Sequence, residues 1–161
     1  MGAWGIKALE SDEGLDVVDV LREYLEGFKN KKVITLKEII NLMIEEGMLG
    51  ETFEDIDFLY DNTAMAVSEL YFDFKENGKL DYDDEEENET TFSKLEKFSS
   101  DKKSLKYLID YLSNIYNKVP DEDGEREIVD LWYENGQNPS YEEWYNHLGS
   151  LIEKLKAEYK S

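Results

Sequence analysis

The chain has 161 residues, enough for one domain with a substantial core. Lys and Arg number 18 against 39 Asp and Glu, a formal charge of −21 that opposes spontaneous binding to DNA, RNA or anionic membranes. Hydrophobic residues at 40% and aromatics at 13% are too many for a disordered acidic chain, and a Cys count of zero excludes disulfides, a thiolate nucleophile and Cys-ligated zinc.

Met1 to Leu9 carry no basic region and no long apolar run, so no leader is read there. Ile6 stands where myristoylation of Gly2 would want Ser or Thr. No apolar run is long enough to cross a membrane, and a cytoplasmic chain is expected. Ser11, with Asp12 and Glu13 behind it, reads as a helix start with acids on the positive end of the dipole. Leu15, Val18, Leu21, Leu25 and Phe28 then recur every three or four residues, the stripe of an amphipathic helix. Lys29 to Lys32 form a basic turn, and Val33-Ile34 a short extended piece. Thr35 and Glu38 make a capping box for a second helix bearing Leu36, Ile39, Ile40, Met43 and Ile44, which Gly47 and Gly50 end.

A third helix is predicted from Thr52, through Ile56, Leu59, Ala64, Val67 and Leu70, to Asn77-Gly78. Its small residues Ala64, Ala66 and Ser68 would let a neighbour approach closely, which marks it as central. Asp81 to Glu89 then hold seven acids in nine positions, a solvated and mobile loop in expectation. Phe92, Leu95 and Phe98 suggest a short helix, and Leu105, Leu108, Ile109, Leu112 and Ile115 a clear one. Glu125 to Asn135 gives another, with Ile128, Leu131 and Trp132. Ser140 and Glu143 read as the capping box of the last helix, whose Trp144, Leu148, Leu151, Ile152 and Leu155 share a face. The expected architecture is a single all-α domain over residues 1–161, a compact bundle of about six helices with an acidic loop near 81–89.

The opening Met1-Gly2-Ala3-Trp4-Gly5, followed by Ser11-Asp12 and Leu15-Asp16, resembles a bacterial family of unknown function whose members begin Met-Gly-Ala-Trp-Gly. The closing Arg126-Glu127, Leu131-Trp132 and Glu143-Trp144 resemble it as well, whereas Val33 to Lys118 carry no such likeness. Ser11 departs from the family's Asn, and Val17 from its aromatic. The resemblance implies a fold and a bacterial origin and brings no activity with it. Physically the motif reads as structural: Gly2 and Gly5 free the backbone to turn while the Trp4 indole is buried between the first and last helices.

Asp73 to Asp84 has part of a calcium-loop pattern, with Asp73, Asn77, Gly78 and Asp81 in place. Lys75 stands where the third ligand belongs, and Asp84 is too short for the bidentate twelfth position. A helix ending at Asn77-Gly78 before an acidic loop explains the same residues. Asp121-Glu122-Asp123-Gly124 is a weaker fragment of that pattern. His147, the only histidine, lies beside Trp144 and Leu148, where an imidazole at the core's edge fits better than a catalytic one. No catalytic set, metal site or cofactor is read.

The expected function is therefore a non-catalytic acidic protein-binding protein, an immunity protein or inhibitor that neutralises a basic toxin or enzyme. Its candidate partner-binding residues are Asp81, Asp83, Asp84, Glu85, Glu86, Glu87 and Glu89, whose field would steer a cation, and Tyr133, Tyr141 and Tyr145, which would anchor it. Alternatives from other classes are a DNA-mimic inhibitor of a nucleic-acid enzyme, a weak divalent-metal-binding domain, a carboxylate enzyme, and a domain kept soluble by its charge. Mimicry would require carboxylates spaced like phosphates along an extended face, and the densest acids form one short block.

Overall fold

The structure, a computed structural model, describes residues 3–161; Met1 and Gly2 of the opening motif lie outside them. Six helices carry the fold: α1 Asp12–Glu26, α2 Leu36–Glu45, α3 Phe58–Asn77, α4 Lys102–Tyr116, α5 Glu127–Tyr133 and α6 Tyr141–Lys160. Strands β1 Val33–Thr35 and β2 Lys97–Ser99 pair in parallel, Ile34 opposite Phe98, and 3₁₀ turns span Ala8–Glu10 and Glu134–Gly136. The fold is all-α, as predicted, with one small sheet at its edge.

Every residue of α3 from Asp61 to Phe72 is buried, and Phe74 with them. A helix buried on all sides is the axis of a bundle. Around it the buried side chains form one continuous cluster reaching from Ala8 to Leu155. α4 and α6 are antiparallel: Tyr116 stacks on Tyr145 at one end, and Lys102 donates to the Tyr159 carbonyl at the other. α6 runs parallel to α3, with His147 beside Glu69 and Lys154 beside Glu76.

The predicted caps form where local spacing alone decides them. Ser11 accepts from Gly14 N at 3.1 Å, and the Thr35–Glu38 box closes in both directions. Gly47 and Gly78 take left-handed φ of 74° and 73° and end α2 and α3.

Four expectations are corrected. Thr52 caps only a turn, donating from its N to Asp55 and accepting from Glu54 N, and Asp57 is the N-cap that starts α3. Phe92 lies in a turn, Leu95 follows it in irregular chain, and Phe98 sits in β2, where it packs edge-on against Tyr71. Three-residue spacing fits both a helix and this turn-then-strand, and pairing with Ile34 selects the strand. Ser140 makes no side-chain cap: its backbone is helical, and Asn138 instead accepts from Ser140 N while donating to Trp132 O. Trp4 is 59% exposed rather than buried between the terminal helices. The buried indole is instead Trp144 of α6 (1% exposed), stacked on Trp132 of α5 at 5.6 Å and 10°, a pairing that adds about 1 kcal/mol beyond area burial.

Candidate functional site

At the end of the bundle where α3 and α6 begin and α4 stops, the chain builds one face from three segments. α4 ends when Lys118 adopts a left-handed φ of 56° and its N–H returns to Ile115 O at 2.9 Å. The chain then turns around Asp121, whose carboxylate accepts from Asp123 N and Glu125 N at 2.9 and 3.0 Å. Arg126 pulls the loop's far end inward. Its guanidinium donates to both Asp61 oxygens at 2.8 and 2.7 Å, to Val119 O at 2.9 Å and to Asn114. Burial raises the Asp61 carboxyl to about 6 while Arg126 draws it down, so at neutral pH the guanidinium faces a carboxylate. The pair thus fixes the segment between α4 and α5, holding one charge against another where neither reaches water.

One side of that segment lines an open cleft of about 920 Å³. Glu51, Glu54, Asp55 and Asp57 face it from the loop before α3, and Asp121, Glu122 and Asp123 from the loop after α4. No Lys or Arg lines it. Gly50 lets the cleft's floor close: a Cβ there would stand 2.6 Å from the Tyr111 hydroxyl, which accepts from Gly50 N and donates to Asp55 O. The other side of the segment carries aromatic rings. Tyr116 and Tyr145 stack at 4.3 Å, Tyr141 stacks on Tyr145 at 5.8 Å, and Tyr133 meets Tyr141 edge-on at 5.2 Å. The Lys118 ammonium lies 5.3 Å from the centre of the Tyr145 ring, and its hydrogen bond to Tyr141 raises its pKa. Tyr133, Leu131, Val119 and Tyr116 are exposed here.

The predicted tyrosines Tyr133, Tyr141 and Tyr145 therefore converge, joined by a fourth, Tyr116. The predicted acidic block lies elsewhere, beyond the last turn of α3 and about 30 Å away along that 20-residue helix. It is also bonded to itself. Asp83 accepts from Phe92 N and Ser93 N at 2.8 and 2.9 Å, Asp84 N donates to Glu89, and Glu86 N donates to Asp84. Glu89 stands 3.6 Å from Arg22. Asp81, Glu85, Glu86 and Glu87 remain exposed.

Asp73 and Asn77 are helical residues of α3, one turn apart, and do not encircle a common centre; burial raises the Asp73 carboxyl. His147 is at the core's edge, its Nε2 at 2.7 Å from Glu69 Oε2. Sequence reasoning missed Glu69, Asp61 and the acidic cleft, since each depends on contacts more than 60 residues apart. The run of acids at Glu51, Glu54, Asp55 and Asp57 beside Gly50 was the available signal.

An all-α acidic domain with a carboxylate cleft and a tyrosine patch on one face is the class these observations define. Over residues 2–147 the chain matches, and belongs to, the family described as a domain of unknown function (DUF4259), as the resemblance to a family of unknown function implied. Comparisons with curated proteins and with solved structures give no match.

Proposed function

We propose that this protein is a non-catalytic acidic binding protein that captures a basic protein partner, in the manner of an immunity protein or inhibitor acting on a cationic toxin or enzyme. The observation that carries the reading is the juxtaposition, across residues 117–126, of a cleft whose charged lining is carboxylate throughout with a cluster of tyrosines of which Tyr116 and Tyr133 are exposed. Carboxylates speed the encounter with a cation, and rings with few rotors supply the buried contact that holds it. Lys118 against Tyr145 is an internal example of the same contact. A concave cleft receives a protruding basic side chain, which favours this reading over mimicry of a duplex. The distant block at Asp83 to Glu87 adds to the steering field. This reading places the chain in the cytoplasm; among the described residues no helix is long and apolar enough to cross a membrane.

The test is affinity capture from the native host at low salt, followed by association kinetics with the captured protein. The expected result is a basic partner whose on-rate falls as salt rises, since steering is screened within about 8 Å at physiological ionic strength. Neutralising Glu51, Glu54 and Asp55 together should lower that on-rate, and Tyr133→Ser should raise the off-rate. Neutralising Asp83, Asp84, Glu85, Glu86 and Glu87 should lower the on-rate alone. Recovery of no basic partner, or a partner indifferent to both the cleft and the tyrosine variants, overturns the reading.

A further inference from the structure

The cations of this acidic chain are gathered in one place. Residues 29–37 and 94–106 hold nine of the eighteen Lys and Arg but two of the thirty-nine Asp and Glu, a local formal charge of +7 against −28 for the rest. The parallel sheet brings these two segments together: Val33 pairs with Lys97, and Glu96 N and Lys97 N both donate to Lys32 O. Lys31 and Lys94 border one groove beside Phe28, and Lys37 and Lys103 border another on the first turns of α2 and α4. Because β1 runs straight into α2, and β2 into α4 through two residues, both helices begin at this end, and the positive ends of their dipoles add to the lysines.

Some of this charge is spent internally, Lys31 on Glu38, Lys32 on Glu96 and Lys106 on Asp110. Lys29, Lys37, Lys94, Lys97 and Lys103 are exposed and form no ion pair among the described residues. Phe28 and Val33 stand exposed among them, at 45% and 44%. Asp101 and the Thr35–Glu38 box already occupy the N–H groups at the two helix starts, so no pocket for a single small anion is built there. What remains is an extended basic surface with apolar points. Its neighbours decide what fits: the Asp81–Glu89 block lies just before Thr91 and Lys94, and Glu26 borders the same groove as Phe28. A rigid duplex or a flat anionic bilayer laid on the lysines would meet those carboxylates. A short flexible chain would not.

We propose that this lysine face docks a short acidic segment of another polypeptide, one with apolar side chains interspersed among its carboxylates. The inference is independent of the basic partner proposed above: the lysines stand at the starts of α2 and α4 and the carboxylate cleft at their ends, with Ile44 and Glu51 bordering both the cleft and the Lys37–Lys103 groove. The test is titration of the isotope-labelled full chain with a short peptide alternating Glu and Leu, with a duplex oligonucleotide and phosphatidylserine vesicles as rival probes. Expected are saturable amide shifts confined to residues 28–37 and 94–103, weakening as salt rises. The triple substitution Lys29→Gln, Lys94→Gln, Lys97→Gln should weaken binding about tenfold with the melting temperature unchanged. A peptide of Glu alone should bind more weakly than the alternating one. Absence of saturable shifts, shifts centred on the tyrosine face, or tighter binding of the duplex or the vesicles overturns the proposal.

Discussion

Arg126 and Asp61, 65 residues apart, meet through two parallel hydrogen bonds of 2.8 and 2.7 Å with both side chains almost sealed from water. Removing the guanidinium leaves a buried carboxylate without its countercharge, so Arg126→Met should cost about 3–5 kcal/mol. The sign of the pH dependence follows from the same contact. Arg126 is what draws the Asp61 carboxyl down against burial, so its loss moves the folded pKa above the present value of about 6. The folded variant then holds a proton that the unfolded chain has released, and its stability rises as pH falls through that pKa. Denaturant unfolding should show a smaller deficit at about pH 5 than at about pH 8. An equal deficit at both would mean that Asp61 finds another partner. Hydrogen exchange in residues 117–125 should quicken in the variant, since that loop loses its inward tie.

Gly14 lies in the first turn of α1 directly under the Ala8–Glu10 turn. A Cβ there would stand 1.9 Å from the Ala8 carbonyl oxygen and 2.7 Å from the Leu9 Cα, both of them backbone atoms that cannot step aside singly. Gly14→Ala should therefore destabilise the fold by about 3 kcal/mol, the upper end for overpacking, as a drop in denaturation midpoint. Gly5→Ala is the contrast. The atoms nearest its Cβ would be those of the Glu10 carboxylate, at 2.5 to 2.7 Å, and that side chain can swing away at the loss of its bond to Lys7 N. It should cost about 1 kcal/mol. Equal losses in the two variants would refute the tight seat assigned to Gly14.

Much of the helical frame was legible because it rests on short-range rules. The 3.6-residue stripe around Leu21, Met43 and Leu108, and the caps at Ser11 and Thr35, need nothing beyond their own turns. Trp4 was misjudged because flanking glycines permit a ring to turn either inward or outward, and nothing in their spacing says that Trp144 and not Trp4 is the buried indole. Ser140 was misjudged because Asn138, two residues earlier, wins the competition for its backbone. The tyrosine patch was half legible: Tyr141 and Tyr145 share a helix face, but Tyr116 arrives only through the α4–α6 packing. The carboxylate cleft escaped notice because residues 51–57 and 120–123 become neighbours only after α3 and α4 pack.

Glu69 is the tie between α3, α6 and the N-terminal segment. Its carboxylate accepts from Ala8 N and Leu9 N, each at 2.8 Å, and contacts His147 Nε2 at 2.7 Å. Those two N–H groups open a 3₁₀ turn and have no partner within it. Glu69→Ala should orphan both at a buried site and cost about 2–4 kcal/mol. The amides of Ala8 and Leu9 should then exchange faster than the global unfolding rate allows, while those of α4 do not. His147→Ala should cost less, about 1 kcal/mol, because Glu69 keeps both backbone donors. If His147→Ala proves the more damaging of the two, the anchoring role belongs to the imidazole.

Glu38 sets how stability responds to acid. Its carboxylate accepts from Thr35 N at 2.9 Å, Tyr24 Oη at 2.7 Å and Lys31 Nζ at 2.8 Å. Burial pushes its pKa up, but the bonds from Lys31 and Tyr24 outweigh burial and hold it below the ordinary 4.5. A group lowered in the folded state binds fewer protons there than in the unfolded chain. Its contribution is complete above the unfolded value and is lost as pH falls through the folded one. Glu38→Gln should therefore cost about 1 kcal/mol at neutral pH, the scale of a capping bond, with the difference from the parent closing as acid protonates the parent's carboxyl. The alkaline side mirrors it through Tyr24, whose hydroxyl is pushed up to about 12 by burial and by the Glu38 carboxylate. Between the unfolded value of 10 and that figure the folded chain keeps a proton the unfolded one gives up, so stability falls as pH rises there. Tyr24→Phe should make that alkaline slope shallower without abolishing it, since burial raises Tyr82, Tyr107, Tyr111 and Tyr145 as well, and should lessen the acid slope because Glu38 loses one of the bonds that hold it down. Should the acid slope persist unchanged in Glu38→Gln, the carboxylate responsible lies elsewhere, with Asp101, lowered by its bonds to Ser104, the next to replace.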